Sequence, residues 1–262
     1  MKRALLVGIN DYPLRPLRGC ANDVDMAASY LQEVRGFTAT ETRKLVDADA
    51  TGEAIRDGLT WLVAGAAPGD RLYFHYSGHG TLFPVTGPDG RVSALHGAIC
   101  PVDFDWSNGR PLLDTELRAL INQVPLGTEF VYVSDSCYSG ELTRAGRWNR
   151  PRTLPAPPAI TQKIARAQSA GITPQSLGVH DRCALIAGCR ADQTSEDDYF
   201  DTGFNGALTY YLFGTLRTGT WGGSSLQHLV QEIGSQLQAN SYTQQPQLRG
   251  PNTLLVKGFL EG

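Results

Sequence analysis

The sequence contains no dense block of basic residues and no long apolar run. Its 262 residues have a net charge of −3, and no apolar run approaches the roughly 18 residues that a membrane-spanning helix needs. The first eight residues are basic and then apolar, like the start of a signal peptide. The apolar run stops at Asn10-Asp11 and no cleavage site follows, so we interpret it as a buried strand. We expect a cytoplasmic protein that binds neither nucleic acid nor membrane.

Motifs that pair cysteines or bind zinc are also missing. The five cysteines are an odd number without a C-x-x-C pair, so a chain of this size should not depend on disulfides. The ordinary role of each is that of a small buried hydrophobic residue. His75 and His79 are four residues apart, but this spacing places two ligands on one face only in a helix, and a strand is predicted at 71–76. We therefore expect no zinc site.

Short apolar runs alternate with helical patterns along most of the chain. Buried strands are predicted at 3–8, 71–76, 129–134, 183–187 and 252–256. Helices are predicted at 22–34, 51–63, 206–216 and 225–237, and after Asp114, with Thr51 and Asp114 as N-caps. This alternation predicts an α/β fold in which helices cover both faces of a mostly parallel central sheet.

The composition changes between about 145 and 178. Prolines are expected to break any helix or strand there, at Pro151, Pro155, Pro157, Pro158 and Pro174. We predict a large catalytic segment (1–144), a flexible linker (145–178) and a small segment (179–262) that completes the same sheet.

Two predicted strands end at residues that can carry out chemistry. One leads into Ser77-Gly78-His79-Gly80 and the other into Asp135-Ser136-Cys137. Sites in open α/β sheets form beyond the carboxyl ends of strands, so His79 and Cys137 would face each other if these strands are neighbours. A thiolate can then attack a carbonyl while the histidine transfers the proton, and the backbone N–H groups of Gly80 and Cys137 can stabilise the oxyanion. Either residue taken alone would more often be structural, but both together in glycine-containing loops after buried strands favour a catalytic pair.

Both motifs resemble those of a known family. His-Tyr-Ser-Gly-His-Gly at 75–80 and Asp-Ser-Cys-Tyr-Ser-Gly at 135–140 resemble the signature blocks of the metacaspases, which are caspase-like cysteine peptidases. Further blocks resemble the family at 5–12, 17–23, 101–104, 192–195 and 205–209. The resemblance implies a caspase-like sandwich, a monomer, and a cysteine endopeptidase with Cys137 as nucleophile and His79 as general base and acid.

The resemblance also implies a pocket for the P1 side chain of the substrate, formed by Cys20, Asp23, Ser77 and Asp135. Two carboxylates in a partly buried slot favour a cationic P1 residue, so cleavage is expected after Arg and less efficiently after Lys. No Gln-Ala-Cys-Arg-Gly motif of the Asp-specific caspases occurs. Taken alone, Asp23 could instead be a charge that stabilises a helix N-terminus.

Calcium activates many metacaspases, but this sequence departs from their acidic pattern. The stretch 93–96 contains no carboxylate, and Asp114 and Glu116 are not a convincing ligand set for a cation that prefers several oxygens. Asp114 is as well explained by its N-cap role. We expect no cofactor, with calcium disfavoured.

The basic linker leaves regulation and function partly open. An Arg-specific peptidase could cut itself near one of its arginines, Arg144, Arg147, Arg150, Arg152, Arg166 or Arg182, or at Lys163, although a linker that is never processed fits equally. Two other functions remain alternatives. One is a catalytically silent scaffold that binds partners, and the other is an acyl-transfer or esterase activity of the same dyad.

Overall fold

The computed structural model describes residues 1–138, 150–175, 181–190, 193–201, 203–219, 221 and 223–261. The strands in these ranges are β1 (Lys2–Gly8), β2 (Thr42–Val46), β3 (Arg71–Ser77), β4 (Gly80–Thr86), β5 (Val92–Ile99), β6 (Leu112–Leu113), β7 (Glu129–Asp135), β8 (Arg150–Pro151), β9 (Pro174–Gln175), β10 (Ala184–Ala187), β11 (Glu196–Phe200), β12 (Gly203–Gly206) and β13 (Gln247–Arg249). The helices are α1 (Cys20–Glu33), α2 (Gly52–Val63), α3 (Asp114–Ile121), α4 (Pro158–Ser169), α5 (Ala207–Arg217), α6 (Leu226–Ala239) and α7 (Asn252–Leu255).

Six strands form the central sheet in the order β13-β10-β7-β3-β1-β2. All neighbours are parallel except β10 and β13. A second sheet contains β4, β5 and β6 in antiparallel pairing, with β9 added in parallel to β5. A third, antiparallel sheet contains β8, β11 and β12. The predicted mostly parallel α/β fold is therefore confirmed.

Alternating side chains of the central strands pack into two separate cores. In β1, Leu5 and Val7 face the core under α2 and α3, whereas Ala4 and Leu6 face the core under α1, α5 and α6. A strand that is buried on both faces is apolar throughout, which explains the continuous apolar runs in the sequence. Helices therefore cover both faces of the central sheet, as the sequence predicted.

Two predicted elements are wrong in an informative way. The stretch predicted as a last strand is helix α7, which Pro251 precedes as N-cap, and the sheet edge is occupied by β13. The prolines of the linker do not exclude a helix, because α4 begins at Pro158 directly after Pro157. Proline fits the first turn of a helix, since its missing N–H would have no partner there.

The predicted segment boundaries at 144/145 and 178/179 lie outside the described residues, as do Arg144 and Arg147. The predicted N-cap Thr51 is confirmed, because its side chain accepts a hydrogen bond from the Ala54 N–H.

Candidate active site

The strands that precede His79 and Cys137 are neighbours. β3 and β7 pair in parallel with Ser77 opposite Asp135, and Gly8 of β1 lies opposite Ser77 on the other side. The carboxyl ends of the three strands are thus level, and the chain emerging from each enters one region at the edge of the sheet.

The orientation of His79 is determined by a backbone carbonyl. His79 Nε2 lies 2.7 Å from the carbonyl oxygen of Arg15. A carbonyl only accepts, so Nε2 has the proton and Nδ1 has the lone pair. Nδ1 is buried and has no hydrogen-bond partner among the described residues. Burial lowers the pKa of His79 to about 4, so the ring is neutral at pH 7.

Arg15 was not predicted as a site residue. It has a φ of 57°, a left-handed conformation that costs a residue with a side chain roughly 1 kcal/mol or more. This conformation places its carbonyl against His79. Tyr12 packs against the imidazole, with ring centroids 4.5 Å apart, and its hydroxyl accepts from the backbone N–H of His79 at 3.0 Å.

The thiol of Cys137 donates to the carbonyl oxygen of Gln193 at 2.8 Å. A second thiol, that of Cys189, lies 3.4 Å from the same oxygen. The sequence does not single out Cys189, because the two cysteines become neighbours only when β7 and β10 pair.

The four predicted pocket residues lie together beyond these strand ends. Cys20, Asp23, Ser77 and Asp135 are all completely buried. Ser77 Oγ is hydrogen-bonded to His75 Nε2 at 3.0 Å, and burial raises the pKa of the Cys20 thiol well above its usual value.

A guanidinium group of the chain itself contacts two of these residues, Asp23 and Asp135. Arg152 is completely buried, and its Nη2 donates to Asp23 Oδ2 at 2.7 Å and to Asp197 Oδ1 at 3.0 Å. Its Nη1 donates to the carbonyl oxygen of Asp135 at 3.1 Å and lies 3.4 Å from Asp135 Oδ2. Three carboxylates therefore surround one cation.

Asp197, which the sequence did not indicate, is the third carboxylate in contact with Arg152. It belongs to the acidic run Glu196-Asp197-Asp198, in which nothing distinguishes an inward from an outward carboxylate. The backbone N–H groups of Arg18 and Gly19 donate to its two oxygens, each at 2.9 Å. These bonds join the loop before α1 to β11.

The other two carboxylates are held by the segment around α5. Asp23 Oδ1 accepts from Asn205 Nδ2 at 3.0 Å and from the Gly206 N–H at 2.9 Å. Asp135 Oδ2 accepts from the N–H and the hydroxyl of Thr209 at 3.0 and 2.8 Å. Burial raises the pKa of Asp23 to about 6, against the opposing effect of the Arg152 charge.

The backbone of Arg152 is also bound at the site. Its carbonyl oxygen accepts from the Gly80 N–H at 3.0 Å and from the Cys137 N–H at 3.1 Å. A Cβ on Gly80 would collide with the Cys137 carbonyl, so only glycine permits this approach. The two N–H groups that the sequence analysis selected thus converge on one oxygen, as an oxyanion hole requires.

The carboxylates considered for calcium have other partners. Asp114 accepts from His96 Nδ1 at 2.8 Å, and Glu116 accepts from the Leu113 N–H at 3.1 Å and pairs with Arg110 at 2.9 Å. Asp114 is the first residue of α3 and Leu113 is its N-cap, so the predicted N-cap role of Asp114 is wrong. In the described part of the chain, no group of three or more acidic, His or Cys side chains could hold a metal ion. These residues do not fit a calcium site.

Comparisons with known proteins place the chain in a family. The family model of the metacaspase, peptidase C14 domain matches residues 2–145. Metacaspase-7 of Arabidopsis thaliana is 40% identical over 148 residues, which cover 54% of this chain and 35% of that protein. Metacaspase-1A of Aspergillus oryzae is 28% identical over 286 residues, which cover 94% of this chain and 67% of that protein.

A crystal structure of a protein from Geobacter sulfurreducens has the same fold, with a TM-score of 0.70, 24% identity, and coverage of 98% of this chain and 96% of that one. The matched part spans only about a third of the Arabidopsis protein's length. No helix within the described ranges is long and apolar enough to cross a membrane. Since the family model covers more than half of the residues, the chain belongs to the metacaspase family, peptidase C14.

Proposed function

We propose that this protein is a cysteine endopeptidase that cleaves peptide bonds after Arg and, less efficiently, after Lys. The single observation that supports this most is the position of Arg152. Its side chain is held by Asp23, Asp135 and Asp197, while its carbonyl oxygen accepts from two backbone N–H groups next to Cys137.

In the proposed reaction, Cys137 gives its proton to His79 Nδ1 and its sulfur attacks the carbonyl carbon of the P1 residue. The N–H groups of Gly80 and Cys137 stabilise the oxyanion, and His79 then protonates the leaving amine. Water hydrolyses the thioester and releases the new carboxylate. Burial lowers the pKa of His79 to about 4, so the ring is unprotonated at neutral pH, which is the form that a general base needs.

The pocket supports a preference for Arg over Lys. Arg152 contacts Asp23 and Asp197 through Nη2 and Asp135 through Nη1, so it uses the fork of its planar guanidinium. A single ammonium cannot reproduce this spread of donors. An acidic P1 residue would place a fourth carboxylate among three, so we expect no cleavage after Asp.

We also propose that the enzyme cuts its own basic linker. A monomeric state, a cytoplasmic location and independence from calcium remain predictions from the sequence.

A peptide assay tests the proposed function. Fluorogenic peptides that differ only in P1, with Arg, Lys or Asp, are incubated with wild type, Cys137→Ala and His79→Ala. Wild type should hydrolyse the Arg peptide fastest, the Lys peptide more slowly and the Asp peptide not at all, and both variants should lose at least about 100-fold in rate. If the linker is cut, intact mass should show fragments for wild type and a full-length chain for Cys137→Ala.

Each alternative predicts a different result. A silent scaffold would hydrolyse no peptide in any form, and full-length chains of both wild type and Cys137→Ala would contradict self-cleavage. Hydrolysis of neutral esters without hydrolysis of peptides would indicate the acyl-transfer alternative. Hydrolysis of the Asp peptide would refute the assignment of the pocket.

A further inference from the structure

We propose that Cys189 is the partner of Cys137 in a reversible disulfide bond, which forms when a peroxide oxidises the site and which switches the peptidase off until a dithiol reduces it. This inference rests on the proposed function, in which Cys137 is the nucleophile, and it assigns a regulation to that residue. It requires that the Cys137 sulfur is reactive and that a second thiol lies within its reach.

The two thiols converge on one oxygen atom. Cys137 Sγ lies 2.8 Å from the carbonyl oxygen of Gln193, and Cys189 Sγ lies 3.4 Å from the same oxygen. A hydrogen bond with Cys137, together with burial, raises the pKa of the Cys189 thiol well above its usual value. The Cys189 thiol is therefore a direct neighbour of the Cys137 sulfur and keeps its own proton.

The backbone permits a disulfide bond between these positions. β7 and β10 pair in parallel with Ser134 opposite Ala187, and the Gly188 N–H donates to the Ser134 carbonyl at 2.9 Å. Paired strands are about 4.8 Å apart, and the Cα atoms of disulfide-bonded cysteines are about 4.4–6.8 Å apart. Cys137 and Cys189 follow shortly after these paired residues. Since their sulfurs already meet at one oxygen, the bond needs a rotation of side chains and no change of fold.

Gln193, whose carbonyl the thiols share, is itself held in place. Its Nε2 donates to the carbonyl of Thr243 at 2.6 Å, and its Oε1 accepts from the Gln245 N–H at 3.0 Å. These bonds tie the turn after Cys189 to the segment that precedes β13. The shared acceptor therefore keeps the two thiols together before any oxidant arrives.

The remaining three cysteines are not suited to this role. Cys20, Cys100 and Cys183 are completely buried, and burial raises the pKa of each of their thiols. A buried thiol that stays protonated reacts slowly with oxidants. Cys137 instead gives its proton to His79 in the proposed reaction. A site that admits a peptide carbonyl to the Cys137 sulfur also admits hydrogen peroxide, which is smaller, so oxidation should begin there.

The reaction consumes one hydrogen peroxide. The Cys137 sulfur, after giving its proton to His79, attacks one peroxide oxygen and the O–O bond breaks. The sulfur is oxidised to a sulfenic acid, and the hydroxide that leaves takes up the proton and becomes water. The Cys189 sulfur then bonds to the Cys137 sulfur, the S–O bond breaks, and a second water leaves with the Cys189 proton. One peroxide is thus reduced to two waters while two thiols are oxidised to one disulfide.

The disulfide blocks the nucleophile and also protects it. A sulfenic acid that finds no thiol is oxidised further to sulfinic and sulfonic acids, which dithiols do not reduce. Next to Cys189 the oxidation stops at a disulfide, which a dithiol opens by exchange. Cys137 and Cys189 also lie on opposite sides of the basic linker in the sequence, so the bond would keep the two parts of the chain joined even after the linker is cut.

Peroxide treatment followed by peptide mapping tests the bond. Wild type is incubated with hydrogen peroxide, the excess is removed with catalase, and turnover of the Arg peptide is compared with the rate of the same sample before treatment. The rate should fall at least about 10-fold and return to within about twofold after dithiothreitol. Under non-reducing conditions, the peptide that contains Cys137 should be linked to the one that contains Cys189, and three of the five thiols should remain free.

Cys189→Ser is the decisive variant, because serine keeps a hydrogen-bond donor near the Gln193 carbonyl but cannot form a disulfide. Its rate should also fall under peroxide, but dithiothreitol should restore at most about a tenth of the rate before treatment, since the Cys137 sulfur is oxidised further. Cys183→Ala is the matched control, because it removes a thiol directly before β10 instead of after it, and it should recover as wild type does. Circular dichroism before treatment verifies that both variants are folded.

The outcomes separate this inference from the proposed function. Equal recovery of Cys189→Ser and wild type, irreversible inactivation of wild type, or five free thiols after treatment overturns the inference and leaves the peptidase assignment in place. A linked peptide that pairs Cys137 with any other cysteine does the same, and this mapping of wild type decides the matter even if Cys189→Ser does not fold. A protein that forms the Cys137–Cys189 bond but hydrolyses no peptide before treatment overturns the proposed function instead.

Discussion

Asp197 should determine how strongly the pocket prefers arginine. Its Oδ1 accepts from Arg152 Nη2 at 3.0 Å and from the Gly19 N–H, and its Oδ2 accepts from the Arg18 N–H. Asp197→Asn preserves the volume of the side chain but replaces one acceptor oxygen by a donor. The new amide must then face either the guanidinium or a backbone N–H.

The magnitude follows from one hydrogen bond to a charged group. Such a bond contributes about 1.5–3 kcal/mol. Since each 1.36 kcal/mol corresponds to a tenfold change in rate, kcat/KM for the Arg peptide should fall by about 10-fold to about 150-fold. A donor that faces a donor in a buried site also costs about 1–3 kcal/mol, so the free energy of unfolding should fall by a similar amount.

The neighbouring residue Asp198 provides a matched control. It lies on the same strand, is only partly buried, and accepts from the Tyr242 hydroxyl at 2.8 Å away from the pocket. Asp198→Asn makes the same chemical change and should leave kcat/KM for the Arg peptide within about twofold of wild type. Steady-state kinetics with paired Arg and Lys peptides, together with thermal unfolding, measures both effects.

One result would refute this reasoning. If Asp197→Asn folds and its kcat/KM for the Arg peptide equals that of Asp198→Asn, the third carboxylate does not contribute to recognition. A parallel loss for Arg and Lys peptides would instead indicate a purely structural role, because an ammonium cannot use all the contacts of a guanidinium.

Three further predictions concern the histidine, its supporting carbonyl and calcium. The kcat for the Arg peptide should be constant down to about pH 5 and fall below it, because the base form of His79, whose pKa burial lowers to about 4, is lost as the pH drops through that value. KM should already rise as the pH drops through about 6, where Asp23 gains a proton and its attraction for the P1 cation is lost; an inflection of kcat near 6.5 without a change in KM would contradict this. Arg15→Gly should keep its activity, because glycine adopts a φ of 57° freely. Arg15→Pro should lose at least about 10-fold in the rate of peptide turnover, because proline cannot adopt this φ and the carbonyl that holds His79 is displaced. Equal rates for the two variants would contradict the positioning role of Arg15. A chelator should leave the rate of turnover unchanged, since Asp114 and Glu116 already have protein partners, and a rate restored only by added calcium would refute this.

Several features of the site could be predicted because they are local. His79 and Cys137 directly follow apolar runs that form β3 and β7, and each lies in a short motif whose neighbouring glycines allow close backbone approach. The mostly parallel sheet follows from the same alternation of strands and helices. Each of these predictions depends only on the pattern of residues within a short segment of the chain.

The two incorrect predictions of secondary structure also have local causes. Pro157 and Pro158 were interpreted as breaks, although proline is as suitable for the first turn of a helix as for a loop, and α4 begins there. The stretch 252–256 after Pro251 was interpreted as a strand, although a short apolar run has no distinct helical or strand period.

The sequence by itself thus determined the fold class and the two residues that the proposed chemistry needs. Only the tertiary structure decided what the pocket contains. Arg152 belongs to a basic, proline-rich stretch that is typical of a solvated loop, and Asp197 to a run of equivalent acids. Arg152 and Asp197 are buried because their charges pair with each other and with those of Asp23 and Asp135, which belong to segments far apart in the chain. The attraction that compensates for the loss of hydration exists only after the fold has brought these segments together.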